Sequence, residues 1–204
     1  MSIIFVRHGE TLLNVARTLQ PADTPLSHTG LAQAEAVARR LGGMGVGGIV
    51  SSDLPRARAT AQAIARATGL PVRETPLLHE RNFGDLRGRS YDSLDYNPLE
   101  MTTAPPGGES LAAFHDRVAQ AFDDVVRQRQ ALGAPLVVVT HGLVIHALLH
   151  RHLQVAGPHT VPVRMGNTSL TVCDVNPPHG VSLVDCTVHL AGEAADKAAS
   201  LSGG

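Results

Sequence analysis

Arg7-His8-Gly9-Glu10-Thr11 puts a guanidinium, an imidazole and a glycine turn into one short run, with Asn14 a helical turn further on. Thr140-His141-Gly142 repeats part of that form far down the chain. Between them lie Arg56, in the first turn of a predicted helix, and Glu80, in a stretch with no periodicity. An arginine fork suits phosphate or carboxylate oxygens, and a histidine can act as base, metal ligand or nucleophile. Arg7, His8, Asn14, Arg56, Glu80, His141 and the backbone of Gly142 form a set with one carboxylate among several cations. That is not the ligand balance of a metal site, and no Asp/Glu cluster suits Mg²⁺. No G-x-S-x-G or Walker sequence is present. The set does suit phosphoryl transfer without a metal, which needs positioning and neutralisation of the equatorial oxygens. His8 would attack phosphorus as a neutral imidazole, giving a phosphohistidine. A carboxyl group held protonated would supply the leaving alcohol's proton, then act as base on the hydrolytic water.

Positioning these groups requires strands that end together. Ile3–Val6 and Leu136–Val139 are continuous apolar runs, the pattern of strands buried on both faces. Each stops at a His-Gly turn before a helix, where open α/β sheets place ligands beside free N–H groups. A further short strand at Gly48–Ser51 also ends in polar residues, Ser52 or Asp53 being the expected cap of an alanine-rich helix from Pro55 to about Thr68. Arg56 is unfavourable there with respect to the helix dipole, which argues for a bound anion nearby. The remaining elements follow from periodicity. Thr11–Thr18 predicts a short helix with Leu12, Leu13 and Val15 inward. Gly30–Leu41 predicts a second, capped by Thr29 or Ser27, with Leu31 on its buried face. The spacing then predicts a strand at Pro71–Thr75, a long helix from Ser110 to about Leu132, extended chain at Val163–Gly166, and a hairpin of Ser169–Val175 with Val181–Cys186. Asp85 to Glu109 has the character of a lid or binding loop. His146 and His150, four apart on the helix after His141, are spaced as metal ligands, but no third ligand is evident and no metal is expected.

The chain has 204 residues, enough for one α/β domain with a full core. We expect a single domain over 1–190, with the lid at about 85–109 and a flexible tail at 191–204. Mean hydropathy is +0.03 and the net charge is -1, so nothing global favours nucleic acid or an anionic membrane. Of 17 basic residues only Lys197 is a lysine, which reflects a bias toward arginine codons. Two cysteines without CxxC spacing fit a reducing compartment. No signal peptide or membrane span is readable, and the expected location is the cytoplasm.

The Arg7-to-Thr11 run resembles the signature of the histidine phosphatase superfamily, which includes the phosphoglycerate mutases. The resemblance continues through Asn14, Leu26-Ser27 with Gly30 and Gln33-Ala34, and Ser51-Ser52-Asp53-Leu54 with Arg56 and Thr60-Ala61. It extends to Glu80 with Phe83-Gly84, Pro106-Gly107-Gly108-Glu109-Ser110, Thr140-His141-Gly142 and Asn167-Thr168-Ser169-Leu170. It implies a three-layer α/β/α fold with a mostly parallel central sheet. It also implies that His8 is the phosphorylated nucleophile, that Arg7, Arg56 and His141 form the phosphate pocket with Asn14, and that Glu80 is the proton donor.

Leu13 stands where many members have an aromatic residue, a difference of packing. Glu10-Thr11 is closer to the phosphatase branch than to the mutases. The segment from Glu80 to Pro105 is shorter and less basic than the mutase cover, which must keep water from the phosphohistidine. The expected activity is therefore hydrolysis of a small phosphorylated metabolite, with no cofactor. A bisphosphoglycerate-dependent mutase and a non-catalytic phospho-ligand binding protein are the alternatives. Thr11 and Gly142 join the expected phosphate-binding set, and Arg81 is expected to bridge site and lid. Arg87, Arg89, Tyr91 and Tyr96 are candidates to touch the leaving group. A homodimer is left open by the sequence.

Overall fold

The structure, a computed structural model, describes residues 2–157 and 159–191. The expected tail, 191–204, lies outside the described residues apart from Ala191. Among the described residues six strands form one sheet: β1 (Ser2–Arg7), β2 (Gly48–Ser51), β3 (Val72–Glu74), β4 (Leu136–Thr140), β5 (Leu170–Asp174) and β6 (Val181–Cys186). Their order in space is β3-β2-β4-β1-β5-β6. The first four are parallel, and β5 and β6 extend one side antiparallel. The helices are α1 (Leu12–Val15), α2 (His28–Gly42), α3 (Pro55–Thr68), α4 (Leu111–Leu132) and α5 (Gly142–Arg151).

Side chains alternate across a strand, so each apolar run feeds two cores. Ile3 and Phe5 of β1 and Val138 of β4 meet Phe114, Val118 and Phe122 of α4 and Ile145 of α5. Ile4 and Val6 of β1 and Val137 and Val139 of β4 meet Val37 and Leu41 of α2 and Ala61 and Ile64 of α3. The result is an α/β/α sandwich, as expected. Burying each of these branched or aromatic side chains is worth about 1.5–3 kcal/mol, which pins the strand register. Register then fixes the site. Arg7 lies opposite Thr140 and Ser51 opposite Val139. His8, His141 and Ser52 therefore leave three adjacent strands at one level.

Local departures from the sequence reading have identifiable causes. α1 is a single turn, and Leu12 is 73% and Val15 43% exposed rather than inward. The chain leaves the helix at Arg17, whose φ is 52°, and Thr18 bridges to Ser90 instead. In α2 Ser27 is the cap, accepting from the Gly30 amide, and Leu31 is 52% exposed. The inward face is filled by Gly30, Gln33, Ala34, Val37, Ala38 and Leu41. Leu54, which has no capping side chain, occupies the N-cap of α3 that Ser52 or Asp53 was expected to fill. Val163–Gly166 forms no strand. Arg129 lies buried in the apolar stripe of α4, its Nε donating to Ser2 O at 3.1 Å, so that stripe is not purely apolar.

Candidate active site

β1 ends in a turn that has no room for side chains. A Cβ on Gly9 would lie 2.5 Å from Gly30 O, and one on Gly30 would lie 2.1 Å from Glu10 O. This close approach seats the His8 loop on the start of α2. The Gly9 amide donates to Thr60 Oγ1 at 3.1 Å, and Thr60 Oγ1 donates to Arg56 O at 2.8 Å, tying the loop to α3. Asn167 Nδ2 donates to His8 O at 3.1 Å from the turn before β5. His8 is thus held from three sides.

The ring of His8 is buried, and its Nδ1 lies 2.6 Å from Gly9 O. A carbonyl oxygen only accepts, so Nδ1 carries the proton and Nε2 keeps its lone pair. Burial, then Arg56 and Arg7, hold the His8 pKa well below the usual imidazole range, so the ring is neutral at pH 7. His141 follows β4, with its ring centroid 5.1 Å from that of His8. Its pKa is likewise held far down, by burial and then Arg56 and His8.

Arg7 and Arg56 supply the positive charge. Arg7 donates from Nη1 to Met165 O, and Arg56 Nη1 reaches Pro21 O at 3.3 Å. The Nε of each is buried without a partner among the described residues. Burial lowers the Arg56 pKa to about 10, which leaves it charged near neutrality. Glu80 faces them across the cavity. Its Oε1 accepts from the Arg81 amide at 3.0 Å and its Oε2 from the Leu143 amide, in the first turn of α5, at 3.2 Å. Burial nonetheless raises its pKa, outweighing those two amides and the arginines. A carboxyl group so placed can carry a proton.

Arg7, His8, Asn14, Arg56, Glu80, Tyr91 and Gly142 all line one cavity of about 340 Å³. Asn14 Oδ1 is occupied by the Thr11 amide and by Asn167 Nδ2, which leaves its Nδ2–H₂ for a ligand. Four expected site residues do not line this cavity: His141, which is fully buried beside the His8 ring, and Thr11, Arg81 and Arg87. Thr11 is buried as the cap of α1, sharing a capping box with Asn14 and donating to Gln20 Oε1, so its hydroxyl is already spent. Arg81 points away: its Nη1 donates to Leu99 O at 3.3 Å and its Nη2 to Met101 O at 2.5 Å. It ties the lid and leaves no fork for substrate. Arg87 is near enough to weigh against the charge of Arg56 but is not in the lining. Of the other leaving-group candidates, Arg89 donates to Ser93 O at 3.4 Å and Tyr96 is 44% exposed; neither lines the cavity.

Other contributors escaped the sequence reading. Arg17, His146, Arg164 and Met165 line the cavity, the histidine from α5 and the others from loops. Arg117, on α4, donates to Leu77 O at 2.9 Å and His79 O at 2.8 Å and pairs with Glu109 at 2.5 Å. It thereby clamps the segment that presents Glu80. The lid is zipped down by Gly88 N to Leu19 O at 2.7 Å, Leu19 N to Arg89 O at 2.9 Å and Tyr91 N to Arg17 O at 2.9 Å. Among the described residues no group of three or more His, Cys, Asp or Glu could hold a metal ion.

A family model described as "Histidine phosphatase superfamily (branch 1)" matches residues 3–185. The chain belongs to that superfamily. Its histidine phosphatase relatives carry differing activities in their names. A Yersinia pestis protein named "Probable phosphoglycerate mutase GpmB" is 35% identical over 185 residues, 85% of each chain. The mycobacterial glucosyl-3-phosphoglycerate phosphatase structure aligns at TM-score 0.74 and 31% identity, over 91% of this chain and 98% of that one. A phosphoglycerate mutase from Thermus thermophilus aligns at TM-score 0.67 and 35% identity, over 91% of this chain and 99% of that one. The fold is thus shared by proteins named for both activities. Among the described residues no helix is long and apolar enough to cross a membrane.

Proposed function

We propose that this chain is a metal-independent phosphomonoesterase that hydrolyses a small phosphorylated metabolite through a phosphohistidine on His8. The observation that carries this reading is the Nδ1–H of His8 bonded to Gly9 O, which commits Nε2 as the nucleophile in a cavity walled by Arg7 and Arg56. In the first step Nε2 bonds to phosphorus, the ester P–O bond breaks, and the proton of Glu80 passes to the leaving oxygen. In the second, Glu80 as carboxylate takes a proton from water, the water oxygen bonds to phosphorus, and the N–P bond breaks. The guanidiniums and the His141 ring meet the charge on the equatorial oxygens throughout.

Hydrolysis rather than transfer is supported by the cavity's mouth. Val163, 89% exposed, forms part of its lining, so solvent reaches the rim. The lid adds Tyr91, Leu99 and the carboxylate of Glu100, and none of its arginines lines the cavity. Such a cover leaves the rim open to water and contributes no cation of its own for a second phosphate. The mutase reading keeps support from the named relatives and predicts strong stimulation by a bisphosphoglycerate. The deciding experiment is to incubate the enzyme with labelled esters and follow the label. Acid-labile, base-stable label on His8, loss of turnover in His8→Ala, release of inorganic phosphate and indifference to a chelator are expected. Transfer of label to a second hydroxyl without phosphate release would refute the phosphatase assignment. A panel of sugar phosphates, phosphoglycerates, nucleotides and vitamin-precursor phosphates then identifies the ester.

A further inference from the structure

We propose that Ser52 is a positioning residue: its hydroxyl donates to Nε2 of His141 and so places that ring's proton on Nδ1, as a donor to the transferring phosphoryl group. This rests on the phosphatase reading for its chemistry but on independent geometry for its structure. Ser52 is fully buried directly after β2, and its amide donates to Val139 O at 2.9 Å. Its Oγ accepts from the Leu54 amide at 3.3 Å and lies 2.9 Å from His141 Nε2. A hydroxyl has one proton to give. With the Leu54 amide bonded to an oxygen lone pair, the acceptor for that proton among the described contacts is Nε2.

The opposite arrangement leaves two faults in a buried site. If Nε2–H donated to Oγ, the serine proton would have no acceptor, and Nδ1 would offer a lone pair to an incoming anion. Nδ1 of His141 is in fact buried without a partner among the described residues. A bond made merely to satisfy polar groups would not leave the ring's other nitrogen orphaned, because an unmet buried donor is costly. The orphan makes sense as a donor awaiting an oxygen of the substrate, beside the His8 ring. Strand order explains why a serine on β2 can do this, since β2 and β4 are neighbours and both end here.

The test uses the full chain labelled with ¹⁵N-histidine, with His141 assigned by loss of its signals in His141→Asn. The wild type is expected to show a protonated Nδ1 and an unprotonated Nε2 at His141, and addition of vanadate should protect the Nδ1 proton from exchange. Ser52→Ala should yield a mixture of tautomers. Its phosphorylation rate should fall roughly 10- to 100-fold, less than the 10²–10³ typical for deleting a donor outright. Ser52→Thr, which keeps the hydroxyl, should restore the wild-type tautomer and most of the rate. A wild-type His141 protonated on Nε2 would overturn the proposal, as would an unchanged tautomer and rate in Ser52→Ala. The two readings fail separately. A wild type that forms phosphohistidine with Nε2–H at His141 refutes only the role of Ser52, whereas one that binds phosphate but never phosphorylates His8 refutes the phosphatase.

Discussion

Glu80→Gln separates the two halves of the proposed reaction. The substitution preserves shape but removes the transferable proton and the later base. Glu80 accepts amide protons from both Arg81 and Leu143, and a glutamine can accept only one of them. The other amide then faces an NH₂, which costs about 1–3 kcal/mol of stability, small enough to leave a folded protein. General acid–base catalysis contributes about 10²–10⁴-fold, and this is the loss expected in steady-state turnover of an alkyl phosphate. A nitrophenyl ester needs no proton on its leaving group, so its burst of nitrophenol should slow by less than about 10-fold. Dephosphorylation still lacks a base, and phosphohistidine should accumulate. Rapid-quench measurement of burst rate and label on His8, with both esters, supplies the test. Burial raises the Glu80 pKa, and in the proposed reaction the protonated form is the one that phosphorylates His8. The wild-type kcat/KM for the alkyl ester should therefore fall as pH rises through that raised pKa, and the variant should lose this limb. Equal slowing of the bursts of both esters would refute the assignment of Glu80 as acid.

Arg56→Ala should lower turnover about 10²–10³-fold and weaken phosphate binding, checked by kinetics and calorimetry, because the proposed mechanism loses a guanidinium that stabilises the phosphoryl oxygens. Inorganic phosphate at about 100 times its Kd should stabilise the wild type by about 2.7 kcal/mol in denaturant titrations, and Arg56→Ala much less at the same concentration. His8 and His141 have pKa values depressed on folding. Their neutral forms contribute stability that is fully present above the unfolded value of about 6.5 and is lost as pH falls below it toward the folded pKa. The denaturation midpoint should accordingly drop between pH 7 and 5, less steeply in His8→Ala. Arg117→Met should uncouple Glu80 from α4, cutting kcat more than it raises KM and costing about 1.5–3 kcal/mol through the lost charged hydrogen bonds, as read by urea unfolding.

The placement of the candidate site was legible in the sequence because it sits where buried strands stop. Ile3–Val6 and Leu136–Val139 announce strands by being apolar on both faces, so His8 and His141 had to emerge at strand ends. Arg56 could be placed because its helix start is marked by Pro55. Local pattern was less informative where one residue type suits two roles. Thr11 resembles a phosphate ligand in sequence but is consumed as a cap. Ser52 resembles a cap but is turned toward His141. Arg81 has the fork of a substrate ligand, yet the lid carbonyls claim it. Leu31 fits the helical period but lies outward, because Gly30 must touch the Glu10 backbone and sets the rotation of α2.

The sequence by itself determined which residue types were available for the proposed phosphoryl transfer and that two His-Gly turns would close two parallel strands. Such information is local: a run of apolar residues, a glycine, a polar stop. Tertiary structure alone decided that β2, β4 and β1 lie side by side, that His8 offers Nε2 rather than Nδ1, and that Glu80 is raised in pKa by burial. It also decided that Arg117 and Arg129, from one helix, serve the backbone rather than solvent. These outcomes depend on neighbours distant in the chain. Burial, tautomer and charge are properties of the packed environment, not of the residue that carries them.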